Sequence, residues 1–202
     1  MGDLLRTVLR DAQHRGYLGP GEVDQFIGHA LGYLERLGDP AARATWVDLG
    51  SGSGVPGLVL AVELGEMSWY LVERSRARAD WLRRSVARLG LDQRVVVLHE
   101  AAETTGRGPL RANCAVVVAR CFAGPAVAAE CAAPLLMVGG HAVFSDLQGT
   151  DRWDEPALGL LGLASIGTYR REAGTYTVLE QRESCPGRFP RSPGVPVRRP
   201  LF

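Results

Sequence analysis

The apolar positions of this chain follow two rhythms in succession. Leu4, Leu5, Val8 and Leu9 recur at helical spacing and predict a short amphipathic helix over residues 1–15, broken between Gly16 and Gly21. Val23, Phe26, Ile27, Ala30, Leu31 and Leu34 repeat that spacing and predict a second helix from about Glu22 to Leu37, stopped by Gly38-Asp39-Pro40. From Thr45 the rhythm changes, and short apolar runs alternate with amphipathic stretches. Strands are expected at 45–49, 67–73, 94–98 and 114–119, with helices from Pro56, over 75–89, and from Pro125 to a stop at Val138-Gly139-Gly140. Pro56 and Pro125 suit helix starts, where a missing N–H costs nothing. A strand at 141–145, a helix around 151–161 and strands near 163–169 and 175–181 complete the pattern. This alternation predicts an α/β fold with a doubly wound, mostly parallel sheet. The last two strands lack a helical linker, so an antiparallel edge hairpin is expected.

After Glu183 the composition shifts. Residues 184–202 hold no side-chain carboxylate, four arginines (188, 191, 198, 199) and prolines spaced too closely for a regular helix or strand. An extended strap is expected, with Phe189, Leu201 and Phe202 as docking anchors. The chain therefore divides into a helical N-terminal extension (1–44), an α/β domain (45–183) and a Pro/Arg-rich C-terminal strap (184–202).

Composition narrows the function classes. With 202 residues, 46% of them hydrophobic, the chain suits one globular domain with a full core. No apolar run approaches the roughly 18 residues of a membrane span, and the N-terminus lacks a signal-like segment, so a cytoplasmic protein without a membrane partner is expected. All 23 basic residues are arginine, which excludes Schiff-base chemistry and leaves phosphate contacts to guanidinium groups. The net charge of +1 gives no overall nucleic-acid signature, so any such binding rests on local patches. Cys114, Cys121, Cys131 and Cys185 show no C-x-x-C spacing, and the histidines at 14, 29, 99 and 141 show no ligand spacing. No metal is expected. A monomer is expected.

The chemistry concentrates in Trp46-Val-Asp-Leu-Gly-Ser-Gly-Ser-Gly-Val-Pro-Gly57. An apolar strand ends in Asp48, and glycines at 50, 52, 54 and 57 lead into a helix, a loop whose backbone N–H groups face a ligand. Gly52 to Gly57 spells the dinucleotide pattern G-x-G-x-x-G, which alone is weak. The earlier start at Gly50 gives G-x-G-x-G, and Asp48 would repel a pyrophosphate while attracting a sulfonium and an ammonium. Both favour S-adenosyl-L-methionine (SAM) over NAD. Glu73 ends the second run, placed to accept both ribose hydroxyls of either cofactor. After the third strand, the backbone of Ala102 and Glu103 is expected against the adenine. Arg120 closes the fourth strand and is expected to face the crevice, bracing the cofactor or binding a substrate phosphate. Ala119-Arg-Cys-Phe122 stands where methyltransferases of exocyclic amines carry Asn/Asp-Pro-Pro-aromatic. Transfer to a ring nitrogen with an in-plane lone pair, such as guanine N7, needs no general base and can rest on positioning.

Together these segments resemble the RsmG (glucose-inhibited division protein B) family. Asp48-Leu-Gly-Ser-Gly-Ser-Gly-Val-Pro-Gly57 is similar to its D-x-G-[ST]-G-x-G-[FLV]-P-G signature, Ala119-Arg-Cys-Phe-Ala123 to its S/A-R-A-F/V-A segment, and Ala102-Glu103 to its A-E pair. The run from Arg188 to Pro196 resembles its closing R/K-Y/F-P-R-x-x-G-x-P. The resemblance implies a SAM-dependent methyltransferase of the Rossmann-like class I fold that modifies N7 of a guanine in 16S rRNA. It implies cofactor contacts at Gly50, Val55, Ala102, Glu103 and Arg120, with 16S rRNA or the small ribosomal subunit as partner. Five features depart from the pattern: no N-L-T segment before the first strand, a shorter helical N-terminus than expected, Gly32-Tyr33 in place of Asp-Ser after His29, Ala101 in place of a basic residue, and Asp146-Leu147 in place of Lys-Gly. A carboxylate near the acceptor repels RNA phosphate, so a smaller acceptor, or binding without transfer, stays open on the sequence.

Overall fold

A computed structural model describes residues 2–35, 37, 44–145 and 153–202. In chain order the elements are α1 (Gly2–His14), α2 (Val23–Leu31), a 3-10 turn (Gly32–Leu34), β1 (Thr45–Leu49), α3 (Gly57–Glu63), β2 (Ser68–Val72), α4 (Arg76–Arg88), β3 (Val95–Leu98) and α5 (Ala102–Thr105). Then come β4 (Cys114–Arg120), α6 (Pro125–Ala132), β5 (Leu136–Ser145), α7 (Glu155–Gly159), β6 (Leu163–Arg171), β7 (Gly174–Gln181) and α8 (Val195–Arg198).

The seven strands form one sheet in the order β3-β2-β1-β4-β5-β7-β6. The first five are parallel, and β7 runs antiparallel between β5 and β6. This is the class I methyltransferase sheet with its antiparallel edge hairpin, as the missing linker implied. The chain order reverses between β1 and β4, so the crevice beyond their carboxyl ends is where a ligand sits.

Alternate residues of each strand feed two separate cores. Trp46, Trp69, Leu71, Val116, Val118 and Val143 pack under α1 to α4. Val47, Leu49, Val72, Val117, Ala119 and Phe144 pack under α6, α7 and the C-terminal strap. Because β1 and β4 are buried on both faces, their sequences read as continuous apolar runs. That parity fixes what the strand ends present: Asp48, Arg120 and Ser145 share the α2–α3 face.

Three boundaries differ from the sequence expectation. The helix from Pro125 stops at Ala132, and Val138-Gly139-Gly140 lies inside β5. A Cβ at Gly140 would come within 3.0 Å of the carbonyl oxygens of Met137, Ala115 and Cys114. The glycine thus permits a close strand crossing where the β4–β5 register slips. The second helix tightens into a 3-10 turn at Gly32, where a Cβ would collide with the Tyr176 ring. The proline-rich tail forms one helical turn, α8, after Gly194 adopts φ +78°. Gly38-Asp39-Pro40, Asp146 and the start of the helix expected around 151–161 lie outside the described residues. Among the described residues no helix is long and apolar enough to cross a membrane, and no cluster of three or more metal-ligating side chains occurs.

Candidate active site

The glycine loop is built by backbone angles that other residues rarely adopt. Gly50, Gly52 and Gly54 have φ of +70°, +44° and +79°. The N–H groups of Gly50 and Ser51 donate to the Val72 carbonyl at 2.9 and 3.0 Å, tying the loop to the end of β2. Gly57 lets α3 approach β1: a Cβ there would lie 2.5 Å from Asp48 Oδ2 and 2.7 Å from Leu71.

Glu73 follows β2 and is 5% exposed. Its Oε2 accepts from Gly52 N at 2.9 Å and its Oε1 from Ser75 N at 2.6 Å. Both oxygens keep a lone pair for a further donor. Beyond β3, Ala102 and Glu103 open α5, and Glu103 Oε1 accepts from Gly194 N at 2.9 Å. Gly50, Glu73, Ala102 and Glu103 line one cavity of about 980 Å³, together with Arg74, Arg78, the Cys121–Val127 segment and part of the C-terminal strap. The size suits a small-molecule cofactor. The cavity opens on the α6 side of the sheet, where Cys121 adopts φ +50° as the chain turns out of β4. That turn puts Phe122 against the loop, so close that a Cβ at Gly50 would meet its ring at 2.7 Å.

Of the other expected site residues, Gly52 borders the cavity through its hydrogen bond to Glu73, whereas Asp48, Gly54, Val55 and Arg120 meet Gly57, Leu58 and one another on the α3 side of the loop. Asp48 is 1% exposed, its Oδ2 accepts from Gly57 N at 3.1 Å, and its Oδ1 has no partner. Burial pushes its carboxyl up to about 7, against the opposing effects of the Gly57 N–H, the Ser51 hydroxyl and the Arg120 charge. The carboxylate therefore fastens the loop to α3 from beneath. Arg120 faces the α2 side too: Nε donates to the Val55 carbonyl at 3.3 Å, and the guanidinium lies 5.6 Å from the Phe26 ring centre. Strand parity thus sets Arg120 on the face of β4 that α2 covers, with its guanidinium at the Val55 end of the glycine loop.

On that face the structure gathers residues that sequence spacing did not assign. His29 Nε2 and Ser145 Oγ are 2.8 Å apart, and Tyr33 donates to the Ala119 carbonyl at 2.9 Å. Burial, with the nearby Arg120 charge, pulls the His29 imidazole down to about 4, so it is neutral at pH 7. Tyr176 donates to the His29 carbonyl at 2.7 Å, which pins the end of α2 to β7. Only the helical phase of α2, placing His29 beside Phe26, hinted at this grouping. The strap's part in the cavity was likewise invisible, since its partners are remote in sequence.

Comparison with known proteins fits this geometry. The profile described as "GidB: rRNA small subunit methyltransferase G" matches residues 5–156. The ribosomal RNA small subunit methyltransferase G of Rubrobacter xylanophilus is 35% identical over 168 residues, 76% of this chain but 64% of that protein's length. Its counterpart from Chloroflexus aggregans is 35% identical over 79% of this chain and 71% of its own. Among solved structures, a Corynebacterium glutamicum protein superposes with a TM-score of 0.62 at 16% identity, covering 90% of both chains. The antibiotic-resistance methyltransferase Kmr superposes with a TM-score of 0.54 at 16% identity, over 70% of this chain and 89% of its own. At such identities the structures speak for the fold, and the sequence matches for the family. The chain belongs to the rRNA small subunit methyltransferase G (GidB) family.

Proposed function

We propose that this protein is a SAM-dependent methyltransferase that modifies N7 of a guanine in 16S rRNA. The observation that carries the reading is the cavity at the switch point, which brings together the start of the glycine loop, the carboxylate after β2 and the first turn of α5. The lining suits the cofactor: Glu73, held against the loop at Gly52, is placed for ribose hydroxyls, and the buried Asp48 beneath the same loop disfavours a pyrophosphate there, although Arg74 and Arg78 also border the cavity. When bound, SAM supplies an electrophilic methyl group.

The chain's own residues then bind and orient. Glu73 accepts the ribose hydroxyls while its grip on Gly52 N and Ser75 N keeps it in place. The backbone of Ala102 and Glu103 borders the adenine. Asp48 holds the loop in register with α3. Arg120, through the Val55 carbonyl, sets the far end of the loop and is assigned a positioning role in catalysis. Guanine N7 carries an in-plane lone pair and no proton, so holding it in line with the methyl group is sufficient. Exposed arginines supply the contacts to RNA phosphate. The protein acts as a cytoplasmic monomer, with 1–44, 45–183 and 184–202 working as one unit.

Asp146, where the family carries a lysine, favours a second reading in which the acceptor is smaller. Tritiated SAM offered with purified small ribosomal subunits, naked 16S rRNA and a cell extract separates the two. Label in the rRNA is expected. Label confined to a small-molecule fraction would establish the second reading, and SAM binding without label would mean a non-catalytic relative.

A further inference from the structure

The C-terminal strap is fastened to the body at points that differ from the part lining the cavity. Arg111 donates through Nη1 to the carbonyls of Gly106 and Phe189 at 3.0 and 2.7 Å, and through Nη2 to those of Cys185 and Pro186 at 2.9 and 3.1 Å. Phe189 is buried, and Pro190 lies so near Gly106 that a Cβ there would be 3.1 Å from its Cγ. Arg191 meets the fully buried Glu130 through its backbone N and its Nε, both at 2.8 Å, and through Nη2 at 2.5 Å. Gly194 N then caps Glu103. These contacts hold residues 185–194 whether or not the cavity is filled.

Past Gly194 the purpose of the strap changes. The left-handed turn there starts α8, and Val197, Pro200 and Phe202 join Ala102 in lining the cavity. Val197 is 62% exposed, the most exposed large apolar side chain among the described residues. A single exposed valine needs no explanation. Three apolar side chains from one short segment, converging on one cavity with the α5 turn, do. With the strap tied to α5 through Gly194 N and Glu103, these groups and the Ala102-Glu103 segment border the same cavity, a combination of apolar groups and peptide backbone that suits a flat heteroaromatic ring with polar edges.

We infer that the C-terminal strap forms the outer wall of the cofactor cavity, with Val197 and Phe202 holding the adenine ring of SAM against the Ala102-Glu103 backbone. The inference rests on the SAM reading above. It gives the Arg111 and Arg191–Glu130 contacts a reason beyond stability: they aim a segment that the binding site lacks without it. Val197 and Phe202 are then specificity determinants, and Glu103 serves the cofactor by holding the strap as well as by its backbone.

The test uses the 202-residue chain and two variants that leave the Arg111, Arg191 and Gly194 contacts intact, Val197→Asp and a deletion of Leu201 and Phe202. SAM and adenosine affinities are measured by calorimetry, and thermal melting is followed without ligand. The expected result is at least a tenfold loss of affinity for both ligands in each variant, with melting within a few degrees of the parent. Phe202→Tyr, which keeps the ring, should bind SAM like the parent. Parent-like affinity in both Val197→Asp and the deletion overturns the inference and leaves the SAM reading standing. Failure of the parent itself to bind SAM overturns both. If the deletion melts early, Val197→Asp alone decides, because that side chain is largely in solvent.

Discussion

Replacing Asp48 with asparagine probes how the glycine loop is held. One carboxylate oxygen accepts from Gly57 N and the other is buried with no partner, so the charge is poorly compensated where it sits. Burial moves the group from its ordinary 3.8 up to about 7. At 1.36 kcal/mol per pH unit that shift corresponds to about 4 kcal/mol between the two protonation states. The folded-state value is the raised one, so the folded chain keeps the proton after the unfolded chain has lost it. The group's contribution to stability is therefore fully present below about pH 4 and is lost as pH rises toward about 7. Asparagine keeps an acceptor for Gly57 N and carries no charge. Asp48→Asn should match the parent near pH 4 and exceed its unfolding free energy by about 2–4 kcal/mol at pH 8. Urea denaturation at a series of pH values, without cofactor, measures this directly. Parallel stability curves for the two proteins across that range would refute the reasoning, and so would an asparagine variant that is weaker at pH 8.

Glu73→Ala should remove SAM binding measurable by calorimetry while melting falls only slightly, because the lost partners are two backbone N–H groups at the edge of the cavity. Unchanged affinity would contradict its role. Arg191→Met strands the buried Glu130 charge and should cost about 3–5 kcal/mol in denaturant unfolding, with the double change Arg191→Met/Glu130→Leu recovering most of it. A cost below about 1 kcal/mol would show that the pair is not a structural clamp. Arg120→Ala loses one hydrogen bond and a cation–π contact and should cost about 1–2 kcal/mol of stability. Its methyl-transfer rate should fall by a far larger factor, and an equally small loss of rate would make Arg120 a structural residue.

The sheet was legible because its strands are buried on both faces. Val116, Val117 and Val118 pack into two different cores, so the sequence had to be apolar throughout. The glycine loop was legible because its angles exclude other residues. What stayed hidden depended on contacts distant in sequence. Gly140 looks like a helix stop, and becomes a strand residue only because the carbonyls of Cys114 and Ala115 crowd it. The tail reads as extended from its prolines, but its docking is set by Arg111 and Glu130, some 61–78 residues away. Asp48 and Arg120 were correctly placed at strand ends. Their face followed from parity with Trp46 and Val118, yet nothing in the sequence told which face the cavity occupies.

The central claim is methyl transfer to a guanine N7. It is tested most directly by digesting 16S rRNA, labelled by the purified protein and tritiated SAM, to nucleosides and separating them by chromatography. The account predicts that the tritium elutes with 7-methylguanosine and that Glu73→Ala abolishes it. Tritium in any other nucleoside, or rRNA that remains unlabelled while the parent binds SAM, would contradict it.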